Sequence, residues 1–362
     1  MSVPRYRPAR LFVTAKQKSF EPVISSTPEL PVIDWSGVGQ VAPALLSAGG
    51  SGLPAADVVV ITWAEAEWAA MQHVFCASGV AMPYSDRNNG SWSGWTKYAV
   101  GIPPTKVSGW DYWGEWRLVG VAGKRVLLWK SNTHLDFPGQ TQLTAMMQML
   151  IKEVKPGPVV SIGTAGGAMV GDHVGTVRAV SAGTLYETGK AQGSWPVWAN
   201  AWSAAETVLH KAGLASLLFP VPTTEGDLQG LVTQFNSYYG KSYSIFDLDP
   251  DGLNAGDTQP KVVDATGGAV SLLTTPTFVV GTTAGTYATY ACIEMDDAVL
   301  GDVCKAAGVA FGFVRNVSDP VQSAALPAEV QGSWGSAVYD AYGFYTSFNG
   351  AVAGWAALVA TS

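Results

Sequence analysis

The chain alternates short unbroken apolar runs with longer stretches whose apolar positions recur every three to four residues. Val58 to Thr62 (VVVIT) is a β-branched run that predicts a buried strand, with a helix over Ala64 to Val74 directly after it. Trp116 to Val121 and Lys124 to Lys130 read as two strands joined by Ala122-Gly123. From Gln142 to Val154, Leu143, Met146, Met147, Leu150, Ile151 and Val154 fall at helical spacing. They mark an amphipathic helix whose methionines serve as core filler. Pro156-Gly157-Pro158 breaks the chain before a second buried strand from Val159, and Val174 to Ser181 predicts another, with a bulge at Gly175. Phe278 to Gly281 reads as a strand. Ala298, Val299, Val303, Ala306 and Ala307 then recur at helical spacing, and Gly308 can end that helix in a left-handed conformation. Val309 to Val314 is continuously apolar, as in a strand covered on both faces. Short helices are expected over Val41 to Leu46 and Ala204 to Ala212, with a closing helix over Gln331 to Ala360 broken near Gly343 and Gly350. Strands alternating with helices predict an α/β sandwich.

Residues 1–55 lack a sustained period and carry many Pro, Ser and Gly residues, which marks them as an N-terminal extension. Residues 56–362 then form one α/β domain with Trp- and Gly-rich insertions at about 84–116, of hairpin character, and 186–265. No internal repeat is visible. Many of the 14 tryptophans cluster in 92–116 and 195–202, where large indoles pin down Gly-rich loops; an interface or a lid over a flat ligand is the alternative. The net charge of −7 argues against nucleic acid or an anionic membrane surface as the main partner. No basic leader precedes an apolar segment and no apolar run reaches membrane-spanning length, so a cytoplasmic protein is expected. The three cysteines (Cys76, Cys292, Cys304) have no metal-ligand spacing and read as buried free thiols. Acids in 247–266 resemble a calcium loop, but the EF-hand spacing with its terminal Glu is missing, and no metal site is expected.

The candidate chemistry concentrates between Cys292 and Asp319. Glu294, Met295, Asp296 and Asp297 precede a helix, and Arg315, Asn316, Val317, Ser318 and Asp319 are placed just past the strand that follows it. A neighbouring strand must bring the two ends together, as in sites at the edge of open α/β sheets. Arg315, after a run of apolar residues, is costly to bury alone, so an ion pair is expected whatever the chemistry.

The E-M-x-x-A of Glu294 to Ala298 and the V-R-x-x-S-D of Val314 to Asp319 closely resemble the C-terminal half of the purine nucleoside phosphorylase and methylthioadenosine/S-adenosylhomocysteine nucleosidase family, within the nucleoside phosphorylase-I superfamily. Val159 to Gly167 (VVSIGTAGG) resembles that family's apolar strand ending in G-[ST]-A-G-G. Val58 to Glu67 is similar to the first strand and acidic turn of the nucleosidase branch. The three segments stand in the family's order.

The resemblance implies a three-layer αβα sandwich with a central mixed sheet, and cleavage of an N-glycosidic bond. Positive charge then builds on the sugar while the base takes up electrons, so an acid for the base, a grip on the sugar hydroxyls and an ionised carboxylate near the sugar all help. By resemblance, Asp319 is the general acid to a purine nitrogen, which requires a raised pKa, and Ser318 orients it. Met295 packs on the sugar. Asp296, where the family carries Glu, holds the sugar hydroxyls beside Glu294, with Asp297 as a possible helper for the shorter side chain. Glu67 activates the water, with Arg315 as charge partner. Thr164 and the Gly163 and Gly166 amides face the water or a phosphate oxygen, and Thr282 and Thr283 border the base. No cofactor is implied, phosphate being a co-substrate only in a phosphorylase; a homo-oligomer, dimer or trimer of dimers, is.

Bland readings stand beside these. Glu65 and Glu67 suit the first turn of a helix through its dipole, Asp296 does so too, Asp319 can cap a turn, and Gly163 to Gly167 can be only a tight turn. Hydrolysis of adenosine-like nucleosides is favoured, because Trp63-Ala64-Glu65-Ala66-Glu67 follows the first strand where phosphorylases carry Gly-Asp-Pro and a basic residue. Lys130 and His134 keep phosphorolysis open, and a non-catalytic, storage-like binder is a further alternative. A dehydrogenase lacks its G-x-G-x-x-G fingerprint.

Overall fold

The computed structural model describes residues 22–50, 52–104, 107–180, 182–187, 190–192, 214–223, 225–249, 262–264, 271–276 and 278–360. Its central sheet contains β1 (Val58–Thr62), β2 (Gly114–Val121), β3 (Lys124–Ser131), β4 (Pro158–Gly166), β5 (Val177–Val180) and β6 (Ala310–Asp319). Their spatial order is β2–β3–β1–β4–β6–β5. The β3/β1, β1/β4 and β4/β6 pairs are parallel, and β2/β3 and β6/β5 are antiparallel. The sheet is therefore mixed. Leu272–Thr274 and Ile293–Glu294 extend it from the end of β4.

Helices cover both faces. α1 (Glu65–Cys76) and α4 (Ala328–Ala360) pack together on one side, α2 (Gln140–Val154) and α3 (Asp297–Ala307) on the other. The strands divide their side chains between the two layers by simple alternation. Val58, Val60, Val160, Ile162 and Val314 join the α1/α4 core, while Val59, Ile61, Val159, Phe311 and Phe313 join the α2/α3 core. The chain is thus a three-layer αβα sandwich. Each fully buried Val, Ile or Phe contributes about 1.5–3 kcal/mol, so central strands buried on both faces stabilise the sheet strongly.

Several expectations need correction. α4 runs unbroken through Gly343 and Gly350. A Cβ at Gly350 would strike Asn316 Oδ1, and one at Gly354 would lie 2.7 Å from Ile162 Cγ2, so these glycines allow close approach of the helix to the sheet. β6 does not stop at Val314: Arg315 to Asp319 continue it, because their backbones still pair with β4. Val41 to Leu46 is extended, with Ala44–Leu45 pairing to β2. Phe278 to Gly281 is irregular, and Gly175 lies ahead of β5 at φ +93° as a turn residue. Gly308 ends α3 in the left-handed region at φ 70°.

The tryptophan-rich segment has the hairpin character expected, Thr96–Tyr98 pairing antiparallel with β2. Its indoles anchor loops. Trp95 donates to Gln72 Oε1, Trp110 to Thr133 Oγ1 and Trp113 to the Val100 carbonyl. The tryptophans of 195–202 and the helix expected over Ala204 to Ala212 lie outside the described residues. Residues 22–35 cross the α1/α4 layer: Trp35 packs 4.4 Å from Trp355, and the Pro28 carbonyl accepts from Tyr345 Oη. Among the described residues, no helix is long and apolar enough to cross a membrane, and no group of three metal-ligating side chains forms.

Candidate active site

The ends of β1, β4 and β6 border a cavity of about 110 Å³, closed by Met295 from the turn before α3, by Phe278 and Val279, and by one face of α4. Glu67, on the first turn of α1, is only 6 % exposed. Its Oε2 accepts from Thr62 Oγ1 (2.8 Å) and from the Trp63 (2.9 Å) and Ala64 (2.8 Å) amides. Its Oε1 accepts from both the amide and the hydroxyl of Thr164, each at 2.7 Å. Burial works against its charge, but Arg315, Thr164 and Trp63 outweigh it and hold the carboxyl below the usual range.

Asp319, on the far side of β4, is only 3 % exposed and has the opposite surroundings. Oδ1 accepts from Ser318 Oγ at 3.0 Å, while Oδ2 has no hydrogen-bond partner among the described residues. Burial pushes its pKa up to about 7, against the smaller downward pull of Ser318. Two details place this side chain. The β4/β6 register shifts between Val317 and Asp319, one extra residue that re-aims the strand end. Gly166 then leaves room, since a Cβ there would lie 2.8 Å from Oδ2.

Arg315 is a buried cation of the site, and its chief partner is Asp297. Nε donates to Oδ2 at 2.7 Å and Nη2 to Oδ1 at 2.5 Å, a bidentate pair. Nη2 also donates to Ser161 Oγ at 2.8 Å and reaches Glu294 Oε2 at 3.3 Å. A Cβ at Gly163 would strike Nη1, so that glycine clears the guanidinium. Asp297, foreseen as a helper at the sugar, is completely buried against Arg315 and does not line the cavity. Glu294 lines it, but its oxygens are also taken up, by Thr274 Oγ1 and by the Asp296 (2.6 Å) and Asp297 (3.0 Å) amides. Burial, with the neighbouring Asp297 carboxylate, pushes its pKa up.

Asp296 lines the cavity beside His134. Its Oδ1 accepts from the Leu135 amide at 2.9 Å and its Oδ2 lies 2.9 Å from His134 Nε2, while His134 Nδ1 lies 2.8 Å from Asp136. Burial opposes charge on the imidazole, but the two carboxylates outweigh it and raise its pKa to about 10. Burial raises that of Asp296 despite His134. Lys130 stays off the cavity, buried 3.9 Å from Glu65 and over the Trp68 ring.

The residues singled out from the sequence fall into two groups. Glu67, Thr164, Gly166, Glu294, Met295, Asp296, Arg315, Ser318 and Asp319 come together around the cavity. Gly163 lies one residue below the rim within the β4/β6 ladder, and Thr164 spends its amide and hydroxyl on Glu67. Thr282 and Thr283 do not line the cavity. They bridge to Gln322 instead, while Phe278 and Val279 line the cavity. Sequence reasoning missed Ser336, Tyr339 and Asp340 of α4; their only signal is polar residues at i, i+3 and i+4 in an otherwise apolar helix.

No family model matches the sequence, and no curated protein matches it. Solved structures to which this chain is similar include 5'-methylthioadenosine/S-adenosylhomocysteine nucleosidase from Neisseria meningitidis in complex with methylthio-immucillin-A. It is 13% identical, with a TM-score of 0.47 over 83% of this chain and 98% of that one. The corresponding nucleosidase from S. pneumoniae is 11% identical, with a TM-score of 0.45 over 84% of this chain and 99% of that one. Futalosine hydrolase of Helicobacter pylori is 11% identical, with a TM-score of 0.43 over 83% of this chain and 96% of that one.

Proposed function

We propose that the protein is a nucleosidase that hydrolyses the N-glycosidic bond of adenosine-like or 5'-substituted adenosine nucleosides. The observation that carries this reading is the pair of buried carboxyls on one cavity with opposite proton bias, Asp319 raised to about 7 and Glu67 lowered. Carboxyls pushed apart in this way mark an acid and a base. Asp319 gives its proton to a purine nitrogen as the C–N bonding electrons move onto the base. The ionised Glu67 stabilises the positive charge on the sugar and takes a proton from the water that adds to the anomeric carbon. Exchange with solvent resets both groups. Met295 packs on the sugar, and Asp296 with Glu294 faces its hydroxyls; Ser318 orients the acid.

Water is favoured over phosphate as the nucleophile. The cations that line the cavity are engaged with carboxylates, Arg315 with Asp297 and Glu294 and His134 with Asp296 and Asp136, and Lys130 pairs with Glu65 off the cavity. Five carboxyl-bearing residues line the cavity: Glu67, Glu294, Asp296, Asp319 and Asp340. A cofactor-independent, cytoplasmic homo-oligomer belongs to the same reading. Chromatography for free base after incubation with adenosine, methylthioadenosine, inosine and uridine, with and without phosphate, tests it. Base released without phosphate is the expected result. Release only with phosphate makes the protein a phosphorylase, and nucleoside binding without release makes it a binder.

A further inference from the structure

Neither His134 nor the tryptophan-rich hairpin segment has a part in the chemistry above, yet the two are joined. His134 sits on the loop between β3 and α2, and the segment bolts that loop down. Trp110 Nε1 donates to Thr133 Oγ1 at 3.0 Å, and that hydroxyl donates to the Trp113 carbonyl at 3.2 Å. Trp63 Nε1, just past β1, donates to the Thr133 carbonyl at 3.1 Å. The Asn132 amide donates to the Trp113 carbonyl at 2.9 Å, and its Nδ2 donates to the Tyr112 carbonyl at 3.1 Å. His134 and Phe137 then exchange backbone hydrogen bonds across the turn, and the imidazole meets the Trp63 ring edge-on with centroids 6.3 Å apart. A side chain on a loop fixed in this way is presented in one place.

What the loop presents is an ion pair. Nε2 of His134 lies 2.9 Å from Asp296 Oδ2 and Nδ1 lies 2.8 Å from Asp136 Oδ1, all within buried surroundings. With a carboxylate on each ring nitrogen, the imidazole has no N–H left for a ligand. The next amide of the same loop, that of Leu135, donates to Asp296 Oδ1 at 2.9 Å. The loop therefore holds both oxygens of Asp296. That side chain stands at the head of α3 without capping it, so the helix gives it no task. Burial works to neutralise the acid, and the facing imidazolium is the largest influence in the other direction.

We infer that His134 is a positioning residue, which with the Leu135 amide holds Asp296 so that each carboxylate oxygen keeps a lone pair for one of two adjacent sugar hydroxyls. This rests on the nucleosidase reading, and it makes the substrate class a nucleoside whose sugar keeps both hydroxyls. An ionised carboxylate offers about four acceptor positions. Among the described residues, Leu135 and His134 take one on each oxygen, and the side chain they hold lines the cavity.

The test compares kcat/KM for base release from adenosine with that from 2'-deoxyadenosine and 3'-deoxyadenosine. Intrinsic differences in bond reactivity cancel when the same ratio is taken in two proteins. His134→Phe should lower the adenosine preference about tenfold or more, the size of one lost hydrogen bond to a charged group. His134→Gln, which keeps a donor without the charge, should lie between that variant and the wild type. Asp296→Asn should lower the preference too. Adding His134→Phe to it should lower the preference no further, because the histidine acts only through the acid. A purely structural histidine would slow all three compounds alike. That result, or a further fall in the double variant, overturns the proposal; where His134→Phe does not fold, an unmoved ratio in His134→Gln does so. Should none of the three be cleaved, the adenosine-hydrolase reading fails by itself, and calorimetry with the same compounds decides this one. Tighter binding of adenosine than of the deoxy compounds, reduced in the His134 variants, supports the positioning role, and equal or no binding overturns it.

Discussion

Glu67 and Asp319 flank the same strand end and are buried to nearly the same degree, yet they hold their protons oppositely. Among the described residues, Glu67 accepts five hydrogen bonds and feels Arg315, whereas Asp319 accepts one and leaves an oxygen without a donor. Burial raises both; only Glu67 has a facing cation, Arg315, and the added donors of Thr164 and Trp63 to reverse the effect. The comparison teaches that burial alone does not set a carboxyl's role. The cation and the donors turned toward it do.

The largest effect is expected from removing the proton on the bare side. Asp319→Asn keeps the shape of the protonated acid and should slow base release by about 10²–10⁴-fold. Calorimetric nucleoside affinity should be largely kept, and turnover near wild type would remove Asp319 from the acid's role. Next is Glu67→Gln, whose amide must face donors now satisfied by a carboxylate oxygen. We expect a stability loss of about 1–3 kcal/mol in urea melts, alongside slower turnover.

A third effect is in pH. Glu67, with its folded pKa lowered, contributes stability that is present above its unfolded value and lost as pH falls. Asp319, with its folded pKa raised from 3.8 to about 7, contributes stability that is full below its unfolded value and lost as pH rises toward about 7. Relative to the wild type, Asp319→Asn should therefore be more stable at pH 8 than at pH 4, and urea melts at the two pH values measure this. The smallest effect is expected from Gly335→Ala. It places a methyl 3.6 Å from Asp319 Oδ2, an ordinary contact, and dries that side further. Stability should change by less than about 1 kcal/mol, and the alkaline limb of the pH–rate profile should move upward.

Much of this arrangement was legible in the sequence. The β-branched run of Val58–Thr62 and the apolar heart of β6 announced central strands, and the resemblance brought Glu67, Asp296, Arg315 and Asp319 to one place. What stayed hidden depends on long-range packing. Arg315 to Asp319 do not look like strand because four of the five are polar, but their backbones pair with β4 while Arg315, Ser318 and Asp319 line the cavity. Gly343 and Gly350 read as helix breaks, since a helix propensity cannot show that a Tyr339 ring or an Asn316 side chain needs the space. The bidentate grip of Asp297 on Arg315 required the distance between two elements, which no spacing along the chain supplies. Thr282 and Thr283 missed the cavity because their loop bridges to Gln322.

The central claim is that Asp319 holds a proton near neutral pH while Glu67 does not. Infrared difference spectroscopy of the wild type against Asp319→Asn, titrated from pH 5 to pH 9, tests it most directly. The account predicts a protonated-carboxyl band at low pH that is absent from the variant and fades as pH rises through about 7. A wild type already lacking that band at pH 5, identical to the variant across the titration, would contradict it.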